Sequence, residues 1–150
     1  MDAVTYPEDR VVEFIVQNVI PLRIPFNDPL ATEFNVKWTP TLVTLDPQGK
    51  EHHRTVGFLN AEELIASLLL GIGKTRFETE KFQDAIASLD KIVTSYPKSG
   101  FAPEAIFLRG VAQFKSTHDP KPLRALYEKL VAEYPGSEWT GRAYPYRLIG

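Results

Sequence analysis

The chain has 150 residues, no cysteine and a formal net charge of −2 at neutral pH. Without cysteine, these residues cannot form disulfides, supply a thiol nucleophile or build a cysteine-based metal site. The small net charge gives no general attraction toward nucleic acid or an anionic membrane, so neither is expected as a partner. The first 70 residues carry five Lys/Arg and ten Asp/Glu, and the remainder carry twelve and nine, which indicates two units with different surfaces.

Neither a secretory signal nor a membrane span is predicted. Residues 1–10 lack the basic start and the apolar run that a secretory signal needs. The longest apolar run, residues 68–72, is far shorter than the roughly 20 residues that cross a bilayer. The expected location is therefore cytoplasmic.

The first elements combine helical and extended patterns. Pro7 and the two acidic residues after it predict a helix start, and Asn18 is expected to end that helix. Residues 19–24 are rich in β-forming side chains and predict a short strand, in which Pro21 cannot donate to a ladder. A short helix should follow at residues 30–34, capped by Asp28.

Two more strands and a helix complete this first unit. Strands are predicted at residues 41–45 and 51–58, because the Asp-Pro-Gln-Gly sequence between them is typical of a turn. Asn60 followed by Glu63 indicates a capping box for a helix over residues 61–70. That helix is expected to continue into the segment that follows.

The second half is helical throughout and contains an internal repeat. Residues 88–99 read SLDKIVTSYPKS and residues 126–137 read LYEKLVAEYPGS, with five identical positions at an offset of 38. A repeat of this length predicts helix pairs stacked on one another. In each copy the Tyr-Pro pair should end the second helix, and an earlier glycine, Gly73 or Gly110, should let two helices approach closely.

This second half resembles tetratricopeptide repeats. Gly73, Ala85 and Pro97 stand at the spacing of that family, whereas the second copy has Leu123 near the place of the expected alanine. About two hairpins are therefore expected, and Ser137 can cap one further short helix that carries Trp139. The resemblance implies an inner face that binds peptides or partner helices. That face would include Lys74, Phe77, Phe107, Phe114 and Lys115. The alternative is that the phenylalanines belong to the core and the lysines are solvated.

Residues 19–58 resemble the C-terminal part of a thioredoxin-like domain. They contain a strand, a short helix ending in FNV, then WTPT, a strand, DPQGK and a final strand. In that family the proline of such a Thr-Pro pair is cis, and the backbone beside it pairs with extended substrate peptides. The resemblance therefore implies peptide binding at Trp38, Thr39 and Pro40. The alternative is an ordinary trans turn between helix and strand.

The resemblance covers about half of a thioredoxin domain, since the first strand, first helix, central strand and CxxC motif have no counterpart. We expect that Met1 is an internal methionine of a longer frame, or that the piece was shortened. Without a central strand, residues 19–24 and 41–45 would each have an unpaired backbone edge. A closed three-stranded sheet is expected, and the alternatives are self-association through that edge or poor order.

No catalytic, metal or cofactor site is predicted. His52 and His53 are neighbours on a predicted strand, where successive side chains point to opposite faces and cannot easily share a metal. The Gly-Ile-Gly-Lys sequence at residues 71–74 lacks the long glycine loop of a phosphate site. The glycines are better explained by helix packing.

The sequence thus predicts an α/β unit at residues 1–70, with a truncated thioredoxin-like sheet of about three strands and flanking helices. All-α tetratricopeptide-like hairpins should fill residues 71–150. The expected function is a non-catalytic module that binds a protein or peptide, without a cofactor. The alternative is a fragment of a thiol–disulfide oxidoreductase whose CxxC-bearing part is missing.

Overall fold

The computed structural model describes all 150 residues as a short α/β region followed by stacked helices. The fold class is therefore as predicted. None of the helices is both long and apolar enough to cross a membrane. The elements in chain order are α1 (Asp9–Asn18), α2 (Pro29–Glu33), β1 (Thr41–Leu45), β2 (Glu51–Val56), α3 (Ala61–Glu78), α4 (Phe82–Ser95), α5 (Ala102–Thr117), α6 (Lys121–Glu133), α7 (Glu138–Ala143) and a 3₁₀ helix (Tyr144–Leu148).

Local sequence signals set most of the helix ends. Asp28 accepts a hydrogen bond from the Leu30 amide at 2.8 Å, and Pro29 occupies the first turn of α2. Ser137 caps α7 in the same way. Helices α4 and α6 both end immediately before a Tyr-Pro pair, because proline disfavours the helical conformation of the residue that precedes it.

The start of α3 differs from the predicted capping box. Asn60 accepts a hydrogen bond from the Glu63 amide at 2.9 Å, as expected. The Glu63 carboxylate does not bond back to Asn60. It accepts hydrogen bonds from the Ser99 hydroxyl at 3.2 Å and the Gly100 amide at 3.1 Å, and so joins α3 to the loop between α4 and α5. A residue expected to act within one turn therefore ties two parts of the chain together.

The sheet has two strands, so the predicted closed sheet of three strands is wrong. Strands β1 and β2 run antiparallel, with Thr41 opposite Val56 and Val43 opposite Arg54. Residues 19–24 form no strand, and residues 20–24 make no backbone hydrogen bond. This segment does not form a strand because Pro21 lacks an amide donor and because no neighbouring strand pairs with it.

The main core lies between α3, α4 and α5, and the sheet packs on another part of α3. Thr44 packs so closely on α3 that a Cβ added at Gly71 would lie 2.4 Å from its Oγ1. Earlier in the same helix, Leu64 and Leu70 are fully buried in a cluster that also contains Leu89 and Ile92 of α4. Helix α3 therefore packs against the α/β region and also forms the first helix of the repeat region, and it continues past residue 70 as predicted.

Two helix hairpins, α3–α4 and α5–α6, are stacked in the second half. A Cβ at Gly73 would lie 2.8 Å from Leu89, and one at Gly110 would lie 2.4 Å from Leu126. Both glycines thus permit the predicted close approach. Leu123 is buried at the position where alanine was expected, in a second cluster that α7 and the 3₁₀ helix cover.

Candidate peptide-binding groove

One edge of β1 has no partner strand. The Gly57 amide donates to the Pro40 carbonyl at 2.8 Å, which fixes the alternation of the ladder between β1 and β2. In an antiparallel pair, backbone groups point alternately toward and away from the partner strand. The residues of β1 whose backbone groups point away from β2 are Thr41, Val43 and Leu45. No other strand pairs with this free edge.

An apolar groove of about 270 Å³ lies beside the free edge. The side chains of the same three β1 residues line one part of it, and α2 and the segment before α2 line the rest. The other apolar lining side chains include Ile20, Leu22, Ile24, Phe26, Leu30 and Phe34. Ile20 is 98 % exposed and Leu22 is 79 % exposed, which is unusual for large aliphatic side chains that lie together. The groove is therefore an uncovered apolar surface.

Residues 20–24 form a wall of the groove whose backbone is also unpaired. None of their amide or carbonyl groups makes a hydrogen bond within the chain. The polar contact of this segment is the exposed ion pair between Arg23 and Asp2, at 2.8 Å. An exposed ion pair contributes little to stability, so the position of the segment is weakly fixed.

Arg54 holds α2 against the sheet. Its side chain lies on the same face as Val43, the residue directly opposite in the ladder. The guanidinium donates to the Phe34 carbonyl at 2.6 Å and pairs with Glu51 at 2.6 Å. Hydrogen bonding to Arg54 lowers the pKa of Glu51 below its usual value. A charged side chain on the same face of the sheet as Val43 thus fixes the end of the helix that lines the groove.

The three residues singled out by their resemblance to thioredoxin lie at the beginning of β1. The Thr39–Pro40 peptide bond is cis. The Thr41 hydroxyl donates to the Trp38 carbonyl at 2.6 Å, and Thr39 lines the groove. The Trp38 side chain is 68 % exposed and is not part of the groove lining, although the next residue is. The structure thus brings this tripeptide next to the free edge, and its role in binding stays a prediction.

The residues predicted for the repeat face divide into two groups. Lys115 lies 6.0 Å from the centre of the Phe77 ring, and Lys74 pairs with Glu104 at 2.9 Å on the neighbouring helix. Phe107 and Phe114 instead pack on the second core cluster. The Phe107 ring lies 5.2 Å from Trp139 and 6.0 Å from Tyr146. Partner binding by these five side chains is untested and stays a prediction.

His52 forms an interaction that sequence reasoning missed. Its imidazole is 1 % exposed, with Nε2 at 2.9 Å from Asp46 and Nδ1 at 2.6 Å from Glu78. The hydrogen bond to Asp46, aided by the one to Glu78, raises the pKa of His52 despite its burial. The same contact lowers the pKa of Asp46. The contact of His52 with Asp46 could have been expected, because Asp46 lies in the turn before the same strand. The contact with Glu78 could not, because no local sequence pattern indicates that the end of α3 reaches His52.

His53 contacts the same helix, α3, as His52 does, so the predicted placement of the two side chains on opposite faces is wrong. A β-bulge at this point, where Thr44 lies opposite His53 and Leu45 opposite Glu51, interrupts the strand alternation. His53 is buried, with Nε2 at 3.1 Å from the Ser67 hydroxyl and its ring edge-on to Phe101 at 6.0 Å. Burial, helped by the nearby Lys74, lowers the pKa of His53 to about 4. No group of three histidine or carboxylate side chains is arranged to hold a metal ion.

Comparisons with known families match two adjoining parts of the chain. Residues 3–71 match the family model of a thioredoxin-like domain, and residues 67–99 match that of a tetratricopeptide repeat. The chain joins a thioredoxin-like region to a tetratricopeptide repeat. The two matches overlap within α3, the helix that packs on both halves. We found no curated protein and no solved structure that matches the chain. The tetratricopeptide repeat suggests that the partners are proteins.

Proposed function

We propose that this chain is a non-catalytic protein-binding module that takes an extended peptide segment along the free edge of β1. The observation that supports the proposal is the unpaired row of backbone groups at Thr41, Val43 and Leu45, which lies beside an apolar groove. A strand added to such an edge gains main-chain hydrogen bonds, and adjacent pockets select its alternate side chains.

The lining of the groove defines the chemistry of the ligand. A peptide bound here needs free amide and carbonyl groups on one edge, and apolar side chains at every second position to fill the groove. Trp38 offers a large, exposed ring at the end of the edge, and exposed aromatic side chains are frequent anchors in protein interfaces. Proline at a pairing position of the ligand would remove a donor and weaken binding.

A second candidate function is a thiol–disulfide oxidoreductase whose reactive part is supplied from elsewhere. The match to a thioredoxin-like domain favours it. The chain contains no cysteine, so any thiol would have to come from outside these 150 residues. Peptide binding at the free edge of β1 is compatible with either candidate, because an oxidoreductase would also have to bind a peptide substrate.

Substitution of Trp38 tests the site. The ligand is replaced by a probe peptide of about six residues, the length of a typical strand, that alternates valine and threonine. We expect Trp38→Ala to weaken binding of this probe about tenfold, which corresponds to about 1.4 kcal/mol. Phe58→Ala is the matched control, because Phe58 is an aromatic residue of similar exposure, 60 %, that belongs neither to the predicted tripeptide nor to the groove lining. Equal affinities for the two variants, measured by calorimetry, would contradict the assignment.

Amide hydrogen exchange tests the mode of binding. Adding the probe peptide should slow exchange at the amides of Thr41, Val43 and Leu45, which point away from β2. The amides of Leu42 and Thr44 serve as internal controls, because they already belong to the ladder with β2. Protection confined to residues outside β1 would show that the peptide binds without strand addition.

A further inference from the structure

The uncovered surface around the groove is large enough to form one side of a stable interface. Its exposed side chains include Ile20, Leu22, Phe26, Leu30, Trp38 and Leu45. Together they expose on the order of 700 Å² of surface, which is above the 300–600 Å² of the largest patch on a typical monomer. Each partner in an interface of standard size contributes about 800 Å². The area is therefore close to what a stable dimer requires.

The free edge of β1 is also self-complementary, so that two copies of it can pair. The outward backbone groups belong to three alternate residues, with Val43 at the centre. If a second β1 runs antiparallel about a two-fold axis at Val43, Thr41 of each copy lies opposite Leu45 of the other. All three opposing pairs are then hydrogen-bonded pairs, because every residue involved presents both its amide and its carbonyl. A two-fold interface requires this kind of self-complementary surface.

Strand β1 lacks the features that normally protect an edge from such pairing. Natural edge strands are shielded by charged side chains or proline within the strand, or by a covering segment. The five residues of β1, TLVTL, include no charged residue and no proline. The neighbouring β2 contains Glu51 and Arg54. The segment beside β1, residues 20–24, has no backbone hydrogen bond that would hold it against the free edge.

We infer that the protein bound at this groove is a second copy of the same chain, with the two β1 strands paired antiparallel about Val43. The resulting sheet has four strands, in the order β2, β1, β1 and β2 of the two copies. The exposed apolar groups of both grooves are then brought together around the two-fold axis. This inference rests on the proposed function and names the partner of that site.

A single introduced cysteine tests the register directly. The chain has no cysteine of its own, so Val43→Cys creates a protein with one thiol. Across the axis, the two Cα atoms would lie about 5.5 Å apart, within the range that a disulfide spans. We expect this variant to form a covalent dimer at least tenfold faster than Val56→Cys under mild oxidation. Val56 is a matched control, since it is a valine, 58 % exposed, on the other strand. Equal rates would overturn the register.

Sedimentation of the unmodified chain separates this inference from the proposed function. We expect a concentration-dependent dimer between about 1 µM and about 100 µM, and partial dissociation of that dimer by the probe peptide. A monomer over this range that still binds the probe overturns the second copy as partner but leaves the proposed function intact. A monomer that does not bind the probe overturns both.

Discussion

At the scale of single residues, His52 and His53 are neighbours in sequence but titrate in opposite directions. The pKa of His52 is raised because its ring bridges two carboxylates, and that of His53 is lowered to about 4 because its ring is buried. A histidine whose pKa is raised on folding stabilises the folded state fully below about pH 6.5, and this contribution is lost as the pH rises through the folded pKa. A histidine whose pKa is lowered on folding reduces the stability of the folded state as the pH falls from about 6.5 toward its pKa in the folded state.

Replacing each histidine by glutamine should therefore change the pH profile of stability in opposite ways. His53→Gln removes a loss on the order of 3 kcal/mol between about pH 6.5 and pH 4, since 2.5 pKa units correspond to that free energy. His52→Gln lowers stability at pH 6 and removes the decline above about pH 6.5 that the native chain should have. Urea unfolding at several pH values measures both effects. Two variants with parallel profiles would contradict the assignment.

At the scale of elements, the close contact between α5 and α6 depends on the absence of a side chain at Gly110. An added Cβ would lie 2.4 Å from Leu126 Cδ2 and 2.8 Å from its Cβ. The terminal methyl can rotate away, but the Leu126 Cβ is fixed to the backbone of α6. The two helices would have to separate to make room.

We expect Gly110→Ala to lower the free energy of unfolding by about 1–3 kcal/mol, the typical cost of overpacking. Gly141→Ala in α7 is the matched control, because a Cβ there meets nothing within 4 Å. That variant should be neutral or more stable by up to about 1 kcal/mol, since alanine is the better helix former. Urea unfolding compares them. Similar effects of the two substitutions would show that the helices do not need the glycine.

The sequence predicted the elements whose causes are local. The ends of α2, α4 and α6 follow from a capping aspartate and from Tyr-Pro pairs, so they could be predicted without a partner. The strand at residues 19–24 could not, because a strand requires a hydrogen-bonded neighbour and its β-rich composition alone does not provide one. For the site, WTPT indicated where Trp38 would lie relative to β1. The groove wall and the contact of His52 with Glu78 depend on distant segments, so no local pattern predicted them.

At the scale of the whole molecule, the two halves should unfold together. Helix α3 supplies most of the main buried cluster, which also contains Val11 of α1 and Leu89 of α4, and Glu63 bonds to the loop before α5. A shared helix couples the two regions, because melting it exposes the main cluster, to which both regions contribute.

The two tryptophans provide separate probes of this coupling. Trp38 reports on the α/β region, and Trp139 reports on the cap of the last hairpin. In the variants Trp139→Phe and Trp38→Phe, each with one remaining tryptophan, we expect the same urea midpoint and a single transition. The urea midpoint of each variant is also measured by circular dichroism, which shows how far the substitution itself shifts it. Fluorescence midpoints that differ by more than this shift would show two independent units.

The continuity of α3 also decides how the repeats could be excised as a smaller protein. A cut between residues 70 and 71 falls inside the helix and removes Leu64 and Leu70, which contact the same cluster as Leu89 and Ile92. A polypeptide that begins at Asn60 keeps those leucines together with the cap of the helix. The repeats therefore need the whole of α3 and not only the part after residue 70. A fusion of the repeats to another protein would have to include the turns of α3 that begin at Asn60.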